Sequence, residues 1–398
     1  MLGLLRPALR NNLWKMQAIR LLFWMHFFAS VLVPFLRDWG GITFTQIFTL
    51  NAWFMFCNFL LEIPTGAIAD RFGRRISLAL GSFVSALGFL IYATVPRFEI
   101  FLLGELVLAI SFTLMSGADE ALVYDTLDQL GQREDAKRVY ARLESCKLGG
   151  IITGAVLGGF IAGSLGLRAP MLLGAVPAVL GGFVALSLVE PGGMTGRRTA
   201  QSYAQLLRGG IRYFAGHPSL RVLALDMIGS ASMAWLIIWL YQPQLERVGV
   251  GIALFGVVHA GMCVGQILLL SNIERIEAWV GSKRRYLFIS AVVPGLAYVC
   301  LAAADGVAGV VAAILIASAV GLSRPVLFTG YMNTHIPSAQ RATILSTVSM
   351  LRTLAVALIN PVAGWLVDWG MRPALLILGI AAIALALVTR LEERHLEA

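Results

Sequence analysis

The chain has 398 residues, of which 58% are hydrophobic and only 13% charged. A soluble domain carries about a quarter charged residues, so this surface cannot be dressed for water and its solvent must be lipid. The formal charge of +9 does not mark a nucleic-acid partner, because the basic residues are dispersed over short loops between apolar runs. Cys57, Cys146, Cys263 and Cys300 lie in or beside those runs with no CxxC or His/Cys spacing, and no metal or redox chemistry follows from them.

Crossing about 30 Å of hydrocarbon takes roughly 20 apolar residues. In chain order such runs fall at 14–37, 43–69, 75–95, 98–126, 137–165, 168–189, 219–246, 251–277, 284–303, 306–335, 340–368 and 371–391. The expected fold class is therefore an all-α membrane protein with twelve transmembrane helices. The first run is too long for the core of a cleavable signal and has no small-residue cleavage site, so it reads as a retained span. Residues 190–218 are polar, basic and glycine-rich and separate six spans from six. The expected organisation is an N-terminal bundle over 1–189, a linker over 190–218 and a C-terminal bundle over 219–398.

Alternate loops differ sharply in charge. One set holds clusters such as Arg71, Arg74 and Arg75, or Lys283, Arg284 and Arg285; the opposite set holds single arginines at 37, 97, 168, 247 and 372. Positive residues stay inside, which places both termini and the linker in the cytoplasm of a cell expected to be bacterial, with the chain in its inner membrane. The halves also echo each other. Gly73-Arg74-Arg75 after span two returns as Gly281-Ser282-Lys283-Arg284-Arg285 after span eight, and Gly166-Leu167-Arg168-Ala169-Pro170 returns as Gly370-Met371-Arg372-Pro373-Ala374. A duplicated six-helix unit explains both, and duplicated halves around a midplane site are a recurring transporter plan.

Two stretches carry a family resemblance. Gly66-Ala-Ile-Ala-Asp70-Arg71-Phe-Gly73-Arg74-Arg75, between spans two and three, resembles the loop signature G-x-x-x-D-R-x-G-R-R of the major facilitator superfamily. In span five, Gly150-Ile-Ile-Thr-Gly154-Ala155-Val-Leu-Gly158-Gly159 resembles that family's antiporter motif, with Ala155 where a proline usually stands. The family's arginine in span four has no counterpart here, so its proton-transfer role does not carry over. The resemblance implies two pseudo-symmetric six-helix bundles, the major facilitator fold, and points to the drug:proton antiporter branch. It implies a conformational latch of Gly66, Asp70, Arg71, Gly73, Arg74, Glu120 and Asp125. In that latch Asp70 faces the start of span eleven and a motif arginine meets Asp125 or, second, Glu120. Gly150, Gly154, Gly158 and Gly159 become hinge glycines facing span eight, and Gly66 a point of close packing.

The family lines its central cavity with spans one, four, seven and ten, which here carry His26, Glu105, Asp119, Glu120, Asp226 and Arg324. A charge at mid-membrane costs about 2.5–3.5 kcal/mol on insertion scales, so each needs a partner, water or an interface. The proton-coupling candidates are Asp226, Glu105, Glu62 and Asp119. The substrate-cavity candidates are His26, Arg324, Arg352, Trp53, Asn58 and Trp235, in which rings suit an amphipathic ligand and guanidinium an anionic one. No Walker A, HExxH or Ser/His/Asp pattern occurs, so neither direct ATP use nor an enzyme is expected. The expected function is proton-coupled efflux of a small amphipathic molecule by alternating access, by a monomer that needs no cofactor. Its expected partners are substrate, protons and the lipid bilayer. Uptake of an anionic metabolite or chelate, and lipid translocation, are the alternatives.

Overall fold

In hydrocarbon a chain must satisfy its own backbone, and apolar runs of this length do so as helices. The computed structural model describes residues 2–191, 212–214, 216–337, 341–389, 392, 393 and 396, so most of the expected linker 190–218 lies outside the described residues. The helices are α1 (Leu2–Phe23), α2 (Phe44–Phe72), α3 (Arg74–Tyr92), α4 (Phe98–Met115), α5 (Ala118–Leu130), α6 (Ala136–Leu165) and α7 (Ala169–Leu186). They continue as α8 (Pro218–Trp235), α9 (Ile237–Arg247), α10 (Phe255–Ser271), α11 (Ile273–Val280), α12 (Lys283–Ala303), α13 (Val307–His335), α14 (Arg341–Trp369) and α15 (Met371–Val388). No strand occurs among the described residues.

Eleven helical stretches among the described residues are long and apolar enough to cross a membrane, one fewer than expected. The difference lies in span one. Helix α1 ends at Phe23, residues 24–31 run as turns, and the chain resumes through the short turn Leu32–Pro34 and the π-helical turn Phe35–Trp39. Span four is also interrupted, at Gly117, whose φ of 73° is open to glycine without strain.

The chain divides into two compact units, Met1–Ile42 with Trp53–Ala200 and Ile252–Ala260, and Thr43–Ala52 with Gln201–Gly251 and Gly261–Ala398. Each unit thus takes one short segment from the opposite half of the sequence, which hydropathy alone does not suggest. In the first unit α3 packs on α4 and α7 along a face of small residues. Ser77 donates to the Leu114 carbonyl at 2.6 Å, and Ser111 of α4 donates to the Gly81 carbonyl at 2.7 Å. Without a hydrophobic drive between helices, small residues of this kind permit the close approach on which packing depends. The outward face of α3 carries Leu80, Leu87 and Leu90 exposed, as a lipid-facing stripe should. A buried cluster of Met16, Ile19, Phe23, Leu78, Leu122 and Leu143 ties α1 to α3, α5 and α6.

The second unit uses the same device. A Cβ built at Gly295 of α12 would stand 2.8 Å from the Gly379 carbonyl of α15, and the reverse distance is 2.7 Å. Its core gathers Leu220, Leu223, Met227, Leu287, Phe328 and Met332 from α8, α12 and α13. Asp368, near the end of α14, accepts from the Phe44 and Thr45 amides at 2.9 and 2.8 Å and from the Thr45 hydroxyl at 2.6 Å. It thereby caps the first turn of α2, whose amides have no intrahelical partner.

Candidate functional site

The loop signature is built around one turn. Gly73 has φ 91° between α2 and α3, and the Arg74 and Arg75 amides that begin α3 donate to Glu190 at 2.8 and 2.9 Å. A carboxylate suits the positive end of a helix. The Arg74 side chain pairs with Asp125 and donates to the Ala121 carbonyl at 2.7 Å, so α3 is tied to α5 within one unit. Glu120 points elsewhere, at 4.0 Å from Arg20. Arg71 lies over the Phe72 ring, and Asp70 is exposed with no hydrogen bond or ion pair among the described residues. Part of the segment expected to receive Asp70, at the start of span eleven, lies outside the described residues. At Gly66 a Cβ would meet nothing within 4 Å among the described residues.

The membrane acids separate into paired and unpaired groups. Asp119 pairs with Arg20 at 2.7 Å, and Glu144 adds a second carboxylate to the same guanidinium at 3.6 Å. Asp226 pairs with Arg324, which is completely buried. Arg324 donates through Nε to Ser230 at 2.9 Å, through Nη1 to the Leu287 carbonyl at 2.6 Å and to Ser290, and through Nη2 to Asp226. Every nitrogen of this guanidinium is thus engaged by protein. Glu62 is exposed and Arg352 half-buried, and neither carries an ion pair among the described residues. Glu105 differs from all of these: it is buried and receives a single hydrogen bond, from the Tyr92 hydroxyl at 2.6 Å. No cation stands within ion-pair range of it among the described residues.

The interruption of span one lies against α6. A Cβ at Gly158 would overlap the Phe27 carbonyl oxygen, one at Gly150 would overlap the Leu21 carbonyl oxygen, and one at Gly154 would stand 2.8 Å from the His26 amide. Ser30 closes the contact by donating to the Ala155 carbonyl at 2.8 Å. Three of the four expected hinge glycines therefore face span one, Gly150 against the last turn of α1 and Gly154 and Gly158 against the unwound backbone that follows it. Only Gly159 faces the segment that opens span eight, with a Cβ 2.8 Å from the Ala253 carbonyl. Irregular backbone at membrane depth survives where protein or water lines it, and the glycine row provides that lining.

The same interruption presents His26 among rings. Its imidazole stacks on Phe28 at 5.1 Å between centroids and meets Trp24, Phe89 and Phe112 at 5.8, 5.7 and 6.0 Å. Nε2 is buried without a hydrogen-bond partner among the described residues. The other cavity candidates are engaged locally: Trp53 donates to the Leu102 carbonyl at 3.1 Å, Asn58 to the Phe54 carbonyl at 2.9 Å, and Trp235 to Asn51 at 3.3 Å. No group of three or more metal-ligating residues assembles among the described residues.

Four structural participants escaped the sequence reading. Arg20 was hidden at the polar end of α1, and Glu190 and Asp368, at the edge of the linker and the end of span eleven, carry no local signal of a role. Asn51 accepts from both Trp235 and Asn360, the latter at 2.6 Å, and has no local signal at all. The internal repeat, by contrast, has structural counterparts. Arg168 donates to the Ala93 carbonyl at 2.6 Å and its echo Arg372 pairs with Asp305, each fastening a span-five/six or eleven/twelve turn to an earlier hairpin of its own unit.

The model of the Major Facilitator Superfamily matches residues 17–359. The tetracycline resistance protein, class C, of Escherichia coli is 26% identical over 219 residues, 53% of this chain and 54% of that protein. The chain thus spans about half the length of this curated relative. Among solved structures, the nucleoside transporter NupG superposes with a TM-score of 0.79 at 15% identity, covering 95% of this chain and 98% of that one. A bacterial homologue of the human lysosomal transporter Spinster gives 0.79 at 14% identity, covering 98% and 99%. At such identities these likenesses speak for the fold alone, but the family match covers most of the length. The chain is a multi-pass membrane transporter, and it belongs to the Major Facilitator Superfamily.

Proposed function

We propose that this transporter exports a small amphipathic molecule in exchange for protons, with Glu105 as the group that gains and loses the proton. The observation that carries the reading is the isolation of Glu105: Asp119 and Asp226 each hold an arginine, whereas Glu105 holds only the Tyr92 hydroxyl. An intramembrane carboxyl without a counter-ion is a functional group by default, since its charge would otherwise be lost at little structural expense. The unwound part of span one supports an amphipathic substrate. It places rings around one unsatisfied imidazole nitrogen, the pattern of an apolar site with a single orienting polar atom. The tetracycline resistance relative supports efflux as the direction. Uptake of an anion rested on Arg324 and Arg352, and the engagement of every Arg324 nitrogen withdraws the first of these supports.

The test uses inside-out membrane vesicles energised by a pH gradient and a panel of amphipathic dyes that includes ethidium. Wild-type protein is expected to accumulate at least one dye. Glu105→Gln is expected to abolish gradient-driven accumulation while keeping dye-for-dye exchange. Undiminished gradient-driven accumulation by Glu105→Gln overturns the assignment.

A further inference from the structure

Where α11 turns into α12, the second unit holds a cavity of about 960 Å³, lined among others by Asp226, Ser282, Arg284, Arg285, Glu392 and Glu393. Its charges are of both signs and come from separate segments. Arg284 and Arg285 stand in the first turn of α12, exposed and without a carboxylate in ion-pair range among the described residues. Glu393, from the segment after α15, is held by the Ser282 hydroxyl, which also caps α12 by accepting from the Arg285 amide. Asp226 at the wall is neutralised by Arg324 and adds no free charge.

The rest of the lining is apolar and exposed. Phe288 and Ile289 of α12 and Leu387 of α15 show 44%, 45% and 62% of their surface. A mixed-charge cavity thus opens directly onto an apolar face, at the end of the helices where the basic loops gather.

We propose that this cavity binds the headgroup of a zwitterionic aminophospholipid. Arg284 and Arg285 take the phosphate, for which guanidinium forks are suited. Glu393 takes the ammonium, and the acyl chains run along Phe288, Ile289 and Leu387. Two arginines alone would accept any phosphate; the Glu393 carboxylate beside them discriminates against a headgroup that carries only negative charge.

The experiment reconstitutes the whole transporter in nanodiscs containing equal parts of dioleoyl phosphatidylethanolamine, phosphatidylglycerol and phosphatidylcholine, and counts the lipids it retains by native mass spectrometry. Wild-type protein is expected to retain phosphatidylethanolamine in about tenfold excess over each of the others. Arg284→Gln/Arg285→Gln is expected to lose that excess, and Glu393→Gln to shift retention toward phosphatidylglycerol. Equal retention of the three lipids by wild type, or an unchanged excess in the double variant, overturns the proposal. A second measurement needs no variant: glycerophosphoethanolamine is expected to raise the melting temperature of detergent-purified wild type, while glycerophosphocholine and inorganic phosphate do not. Equal shifts from all three would assign a site for free phosphate instead and sink the lipid reading.

Discussion

Replacing Asp226 by asparagine isolates the charge of the buried pair in the second unit. Arg324 is wholly buried and loses no acceptor atom in this change, since an amide oxygen can take the place of the carboxylate oxygen beside Nη2. What it loses is the neutralising charge. Removing one partner of a buried ion pair destabilises by about 3–5 kcal/mol, because the other charge stays buried and uncompensated. For a domain of 150–250 residues each kcal/mol moves the melting temperature by about 2–4 °C, so a drop of roughly 6–20 °C is expected. The assay is thermal unfolding of detergent-purified protein followed by intrinsic tryptophan fluorescence. Removing both charges, in Asp226→Asn/Arg324→Gln, is expected to recover most of the loss, since neutral replacement of a whole buried pair is often close to neutral. Melting of Asp226→Asn at the wild-type temperature would refute the reasoning, as would a double variant no more stable than the single one.

Gly158→Ala is expected to lower the melting temperature and transport together, because its Cβ would overlap the Phe27 carbonyl and overpacking costs about 1–3 kcal/mol. Gly149→Ala, where a Cβ meets nothing within 4 Å, serves as the silent control in the same melting and transport assays. Glu190→Ala strips the acceptor from the Arg74 and Arg75 amides and should destabilise by about 1–2 kcal/mol, read as an earlier thermal transition. Asp368→Ala should leave the Phe44 and Thr45 amides uncapped, and faster hydrogen exchange confined to the first turn of α2 is the expected result.

Much of this architecture was legible because it is written locally. Apolar runs and basic loops marked the spans, and Gly73 announced the turn that its φ of 91° requires. The Arg74–Asp125 pair was within reach because the family resemblance pointed to Asp125 and to an arginine of the motif, without saying which arginine. Glu190 and Asp368 were not, since their amide partners lie 116 and 324 residues away and nothing near either acid indicates a helix start. The interruption of span one escaped the sequence for a different reason. Its aromatic run is as apolar as a continuous helix, and hydropathy does not register an interruption that the glycines of α6 accommodate. Those glycines were noticed, but the neighbour they serve is chiefly span one rather than span eight. Arg324 looked available for an anion because sequence reveals a buried cation and not its four acceptors. Glu105 stood out only by subtraction, once the structure had assigned arginines to Asp119 and Asp226 and left Glu62 exposed.

Proton movement recorded without any imposed pH gradient tests the central claim most directly. Proteoliposomes are loaded with a pH-sensitive dye and given an outward gradient of the amphipathic compound that the vesicle panel shows to be moved fastest. Export by wild-type protein is expected to acidify the lumen, and Glu105→Gln to abolish that signal while still exchanging the compound. Export by wild-type protein with no change in luminal pH, or equal acidification by Glu105→Gln, would contradict the account.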